Sequence, residues 1–323
     1  MAKCQKPVLI KQEEGTEEEP EPPTRFAGGA AALAPSTPDP AADIATPAAH
    51  IATPAADISI PAPAGPALTQ QQQVLIHPTS PLPLHQPRAT PLPYQAQACS
   101  DEADHLREIG HFAAAVVQLE NAITRGHLPS RAELAWILLV GRDGVRVNVK
   151  RAFTLVQEGT RLGCHHCQGV MSRCYYGGLG CKESEKLSFQ LARSSSAKGS
   201  KFGQYMLGLL HDNGAGGAAL DCAKSMAFYR LSAAQNLDAA KNNIGFFFGT
   251  GRGVAKDPAE ALRWYKLAAA QGLPGAIFNV GRYYENGFSV PVDRAEAIRQ
   301  YQRAAAAGWQ PASTSLQRLA FEQ

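Results

Sequence analysis

The chain has 323 residues, a formal net charge of +3 and 18% charged residues, enough length for one or two domains. Its base is scattered rather than gathered into a stripe, which argues against nucleic-acid binding, and the longest late apolar run, "LAWILLV", is far too short to span a membrane. Seven cysteines, an odd number, fit poorly with a fully paired disulfide framework.

Residues 1–100 are chemically distinct from the rest. Of 23 prolines, 18 lie before Cys99, and only Phe26 and Tyr94 supply aromatic rings there. The same stretch carries five Lys/Arg against nine Asp/Glu, whereas 26 of the 31 basic residues lie beyond it. Such a segment cannot bury enough apolar surface to offset the entropy of ordering it. A disordered Pro/Ala/Thr-rich arm over 1–100 is therefore expected. The opening "MAKCQKPVLIKQEEGTEEE" lacks the apolar core of a secretory signal. Cytosol or nucleus is expected rather than secretion, and thiols stay reduced there.

The arm holds candidate modification sites. "VLIKQEEGTEEE" resembles a SUMO acceptor motif with Lys11 as acceptor. "DIATPAAHIATPAADI" repeats at seven residues, with Thr46 and Thr53 each preceding proline, so proline-directed phosphorylation competes with an inert Thr-Pro linker. "PLPLHQPRATPLP" favours an extended polyproline conformation.

Beyond residue 100, one line recurs. A weak copy, "AVVQLENAITRG", ends at Gly126. Then come "AFTLVQEGTRLG" ending at Gly163, "SFQLARSSSAKG" at Gly199 and "SMAFYRLSAAQN" at Asn236. "ALRWYKLAAAQG" at Gly272 and "AIRQYQRAAAAG" at Gly308 complete the series. The end points are spaced 37, 36, 37, 36 and 36 residues apart, which marks a repeat array. Small residues such as Ala268 and Ala304 let helices approach, while Trp264, Tyr265 and Tyr301 fill wider gaps. This register also reads Ser195 and Ser196 as packed small residues rather than phosphosites.

A second line precedes these in each unit. "CQGVMSRCYYGGLGC" (167–181), "AKNNIGFFFGTGRGV" (240–254) and "AIFNVGRYYENGFSV" (276–290) share one spacing. A small residue, an aliphatic four on and an aromatic four after that share one helical face. A glycine group then ends the helix, and Asp257 and Asp293 are natural N-caps for the next one. Each unit is thus a hairpin of helix A, a Gly-rich turn and helix B. One hairpin cannot bury both faces, so the units must stack. The fold class is all-α: an α/α solenoid over 101–323, with about five 36-residue repeats and capping helices. "PASTSLQRLAFEQ" is a lone last helix A with Ala312 and Leu316 in register.

The pattern resembles the Sel-like repeat (SLR) family, a 36-residue relative of the tetratricopeptide repeats. Ala240, Ile244, Gly245, Phe248, Gly251, Gly253, Val254, Asp257, Ala261, Trp264, Tyr265, Ala268, Ala269 and Gly272 carry it. The next unit departs mildly, with Ser289 for a glycine and Gln300 for the tryptophan. The resemblance implies a non-enzymatic adaptor that holds partner proteins on a concave helix-A face, without a cofactor. Asn243 and Asn279 occupy equivalent places there, with Arg173, Gln204 and Arg282 nearby, where they could bond a peptide backbone or carboxylates. Replacing both asparagines by alanine is expected to weaken partner capture without lowering the melting temperature.

The Cys-rich stretch "GCHHCQGVMSRCYYGGLGC" (163–181) raises two rival readings. Cys164, Cys167 and His165 or His166 have zinc-ligand spacing. Against a four-cysteine site, Cys167 and Cys174 stand about 10 Å apart along one helix axis. The register instead puts Cys167 at a small buried position and Cys164, Cys174 and Cys181 where other units place apolar residues. The other rival comes from the family resemblance. Some secreted SLR proteins with cysteines in every repeat are linked to β-lactam binding or hydrolysis, but here the cysteines cluster in one repeat. No G-x-S-x-G, phosphate-binding glycine loop or H-E-x-x-H is present.

Overall fold

The computed structural model describes residues 92–321 other than Asp143, and shows thirteen α-helices there. Lys11, Thr46, Thr53 and the arm up to residue 91 lie outside the described residues. Helix α1 (Leu92–Glu108) pairs with α2 (Phe112–Thr124) ahead of the repeats. Five hairpins follow: α3 (Leu128–Val140) with α4 (Val149–Arg161), α5 (His165–Tyr176) with α6 (Glu185–Ala197), and α7 (Lys201–Asn213) with α8 (Cys222–Ala234). The series continues with α9 (Asp238–Thr250) and α10 (Pro258–Ala270), then α11 (Pro274–Asn286) and α12 (Arg294–Ala306). Helix α13 (Gln310–Phe321) closes the array, with Ala312 and Leu319 buried.

The arm boundary expected at residue 100 falls inside α1. Ala96 and Ala103 are buried on α1, and Pro93 sits in its first turn, where a missing N–H breaks no helical bond. Few aromatics and two nearby prolines made this segment look like the arm. Packing against α2 is what makes it a helix.

The B helices start on the expected caps. Asp257 accepts from the Glu260 N–H at 2.9 Å and Asp293 from the Glu296 N–H at 2.8 Å. Asp221 caps α8 and Asn148 caps α4 in the same way, at 2.9 and 3.0 Å. At two turn positions another residue replaces glycine: Asn236 holds φ 65° and Ser289 φ 61°. Both keep the left-handed turn that glycine adopts cheaply elsewhere, at some steric cost.

The seam between A and B helices is built from one small–large pair per hairpin. A Cβ on Gly208, Gly245 or Gly281 would lie 2.6, 2.8 and 2.7 Å from the rings of Tyr229, Tyr265 and Tyr301. Glycine is required there because the ring of helix B lies directly on the backbone of helix A. In α5–α6 the equivalent pair is Ser172 and Ala192. Ser172 donates to the Ser188 carbonyl at 2.8 Å, filling with a hydrogen bond what a ring fills elsewhere. In α3–α4 it is Ala135 and Val156, both fully buried. Ser195 is buried as expected and donates to the His165 carbonyl at 2.7 Å, while Ser196 is half-buried.

Candidate functional site

The residues expected to line an open helix-A face are buried instead. Asn243 and Asn279 are 0% exposed, Arg173 3%, Arg282 6% and Gln204 8%. Asn279 is tied to the preceding repeat and Gln204 to its own hairpin. The Asn279 Nδ2 donates to Asn242 Oδ1 of the preceding repeat at 3.1 Å. Gln204 Oε1 accepts from Gln235 Nε2 at 2.8 Å. A polar side chain on helix A can thus be consumed by its neighbours, and sequence register alone does not distinguish that from solvent exposure. The expectation that the Asn243/Asn279 double alanine variant keeps its melting temperature is therefore corrected: the change removes a buried hydrogen bond.

A charged cleft of about 150 Å³ lies where the first hairpins meet later repeat turns. Its base grows from three A-type helices. Arg107 of α1 donates to Glu133 of α3 at 2.8 Å and pairs with Asp104 at 2.9 Å. Lys201, the first residue of α7, reaches the other oxygen of Glu133 at 2.6 Å. Burial alone would raise the Glu133 carboxyl, but Lys201 and Arg107 outweigh it and hold it down at about 2. Two cations on one carboxylate in a poorly hydrated place make a rigid network, since removing any member strands the others.

The far wall of the cleft comes from distant sequence. Arg142, in the turn after α3, pairs with Asp238 at the start of α9 and lies 5.5 Å over the Phe112 ring. Phe112 in turn packs on the turn after α10, where a Cβ on Gly272 would lie 2.7 Å from its ring. Trp136 closes the floor, edge-on to Tyr205 at 5.4 Å and tilted against Phe202 at 5.2 Å. Around this floor the rim is solvent-facing: Asp104, Glu108, Gln235 and Asn236 are exposed. None of these residues was singled out from sequence as a site. The contributing segments are separated by up to about 170 positions, and only the stacking of the repeats brings them together.

The Cys164–Cys167 corner is more enclosed than the sequence suggested. Cys164 is 6% and Cys167 0% exposed, with His165 and His166 half-buried. The two imidazoles lie 4.2 Å apart with their planes tilted by 39°, and His166 Nδ1 lies 3.2 Å from Ser200 Oγ. Among the described residues, no three His, Cys, Asp or Glu side chains converge in a way that could hold a metal ion. Cys99, Cys164, Cys167, Cys174 and Cys181 are free thiols. The four in the 164–181 stretch are unpaired here, which gives the hydrolase reading no support. No described helix is long and apolar enough to cross a membrane.

Comparison with known proteins accounts for the array. A family model described as Sel1 repeat matches residues 129–164, 160–200, 202–237, 238–273 and 274–309. No curated protein matches the chain. Among solved structures, a Sel1 repeat protein from Oxalobacter formigenes is similar at 20% identity. That match covers 68% of this chain and 86% of that one, with a TM-score of 0.45. The antigen c5321 of uropathogenic Escherichia coli, which displays an SLR fold, matches at 21% identity, 68% and 48% coverage and a TM-score of 0.42. Immunity protein Pa5087 from Pseudomonas aeruginosa matches at 18% identity, 70% and 86% coverage and a TM-score of 0.43. The five matched segments span more than half of the sequence and coincide with hairpins α3–α4 to α11–α12, so the chain belongs to the Sel1 repeat family.

Proposed function

We propose that this chain is a non-enzymatic protein-interaction scaffold whose partner docks at the charged cleft. Sel1 repeat solenoids generally serve protein interaction, and the cleft is the observation that carries the reading here. It offers an aromatic floor at Trp136, a fixed carboxylate–cation network and an exposed polar rim. A partner loop that inserts an apolar side chain would bury it on the floor and bond at the rim, the arrangement of an anchored interface. Of the helix-A residues, Gln204 bonds the rim residue Gln235.

The test is affinity capture with the full chain and with the rim variant Glu108→Lys. The position is exposed, so the change should alter stability by no more than about 0.5 kcal/mol. Loss of a reproducible set of captured proteins is the expected result. An identical set from both chains would move the docking surface elsewhere.

A further inference from the structure

We propose that Cys164 and Cys167 are a peroxide-oxidisable dithiol, with Cys164 as the nucleophilic sulfur and Cys167 as the thiol that resolves it to an intramolecular disulfide. The geometry is specific to this one hairpin. Cys164 is the N-cap of α5, with extended backbone angles of φ −71° and ψ 111°, and Cys167 lies one turn into the twelve-residue helix. Residues three apart at this place have Cα atoms about 5 Å apart, inside the range a disulfide bridges. The equivalent pairs in the later repeats are Ser200 with Gly203, Leu237 with Ala240 and Leu273 with Ala276.

Room for the second sulfur is made by a matching change across the seam. Gly159 of α4 stands where later repeats carry Ser195, Ser232 and Ala268. A Cβ on Gly159 would lie 2.3 Å from the Cys167 sulfur, so the missing side chain is the space the thiol occupies. The same point is 3.5 Å from Arg131 Cδ, and the Arg131 charge further favours the Cys164 thiolate. A cysteine that merely filled the gap would account for Cys167. Packing would likewise account for Cys164, which stands where Leu237 and Leu273 do, but not for two sulfurs three residues apart beside the helix amides.

The two thiols are made chemically unequal. The Cys167 side chain and the N–H groups of Cys167 and His166 stabilise the Cys164 thiolate, against the cost of burial, and bring that thiol down to about 6. Cys167 is pushed up, first by donating to Cys164 and then by burial. Cys164 attacks first as the thiolate; once it is the uncharged sulfenic acid, the charge that held the Cys167 proton in place is gone, and Cys167 gives that proton up as it attacks. Cys174 is fully buried, that burial pushes it up to about 12, and it has no second thiol three residues away on its helix.

Cys164 keeps only 6% of its surface exposed, which favours a small oxidant, hydrogen peroxide. The Cys164 thiolate attacks one peroxide oxygen, the O–O bond breaks, and the departing hydroxide takes a proton to become water. The sulfenic acid so formed is attacked by the Cys167 sulfur. The S–O bond breaks, the S–S bond forms, and the second hydroxide leaves as water with the Cys167 proton. Two thiols and one peroxide give one disulfide and two waters.

The experiment treats the reduced full chain with graded hydrogen peroxide at neutral pH, then alkylates it and maps its peptides by mass spectrometry. The Cys164–Cys167 peptide should lose two hydrogens before Cys99 changes, although Cys99 is more exposed. In Cys167→Ser the sulfenic acid should persist at Cys164 and be trapped by dimedone. In the unsubstituted chain, the iodoacetamide rate at Cys164 should be half-maximal near pH 6. Oxidation of Cys99 ahead of Cys164, no dimedone adduct in Cys167→Ser, or a half-maximal rate near the ~8.5 of an ordinary thiol would each overturn the proposal.

Discussion

Hairpins α7–α8, α9–α10 and α11–α12 close their A–B seams with a glycine under a tyrosine ring, whereas α3–α4 and α5–α6 use Ala135 with Val156 and Ser172 with Ala192. The late seams continue into a ladder of rings. Tyr229 meets Phe247 at 5.7 Å, Tyr265 meets Tyr283 at 5.4 Å, and Tyr301 meets Phe278 at 5.2 Å. Early hairpins gain cross-links of another kind, such as Arg131 with Glu158 at 2.7 Å and the cations around Glu133. One backbone plan thus tolerates two kinds of filling at the seam. The family pattern is sharp where the filling is a ring on a glycine, and faint where serine, alanine and valine share the space.

The comparison breaks most visibly if the ring is removed. Tyr265→Ala should cost about 3–5 kcal/mol, because a fully buried ring leaves a cavity between rigid helices. Val156→Ala, at the equivalent place in the first repeat, should cost about 2 kcal/mol for the smaller volume lost. Chemical denaturation of both variants checks this, and equal costs would mean that the two seams do not differ in kind.

A second, smaller effect belongs to the early region alone. Glu133→Gln removes the carboxylate shared by Lys201 and Arg107 and should cost about 3 kcal/mol at neutral pH. The folded-state carboxyl sits at about 2, below the ordinary 4.5. Its contribution is therefore complete above about pH 4.5 and is lost as pH falls towards 2. The deficit of the variant should accordingly shrink between pH 7 and pH 3 when urea midpoints are compared. A deficit of the same size at both values would show that the side chain acts through packing and not charge.

The same contrast explains what could be read from residues alone. Gly245, Trp264, Tyr265 and the paired alanines occur at fixed spacing, because a ring on a glycine permits little substitution. That made the period, the hairpins and the caps at Asp257 and Asp293 legible. Helix α1 was not legible, since its stability comes from Ala96 and Ala103 packing on α2 rather than from any pattern of its own. The cleft was beyond reach for a different reason. Arg142 and Asp238 are 96 positions apart, and their meeting depends on how far each repeat turns relative to the last. Asn279 was misplaced because an amide on helix A looks the same in sequence whether it faces water or Asn242.

The smallest effect tests whether the α5–α6 seam is a weakened ring seam or a working alternative. Ser172 is fully buried, donates to the Ser188 carbonyl at 2.8 Å and lies 3.0 Å from the Ser188 hydroxyl. Ser172→Ala removes that donor while nearly conserving volume, so it should cost about 1 kcal/mol. If serine were only a poor substitute for glycine, the alanine variant would be neutral, because no ring presses on this position. A measured loss near that size would mean that a hydrogen bond has taken over from the ring. The hairpin carrying the Cys164–Cys167 pair would then be as firmly built as its neighbours, with its chemistry added to an intact frame.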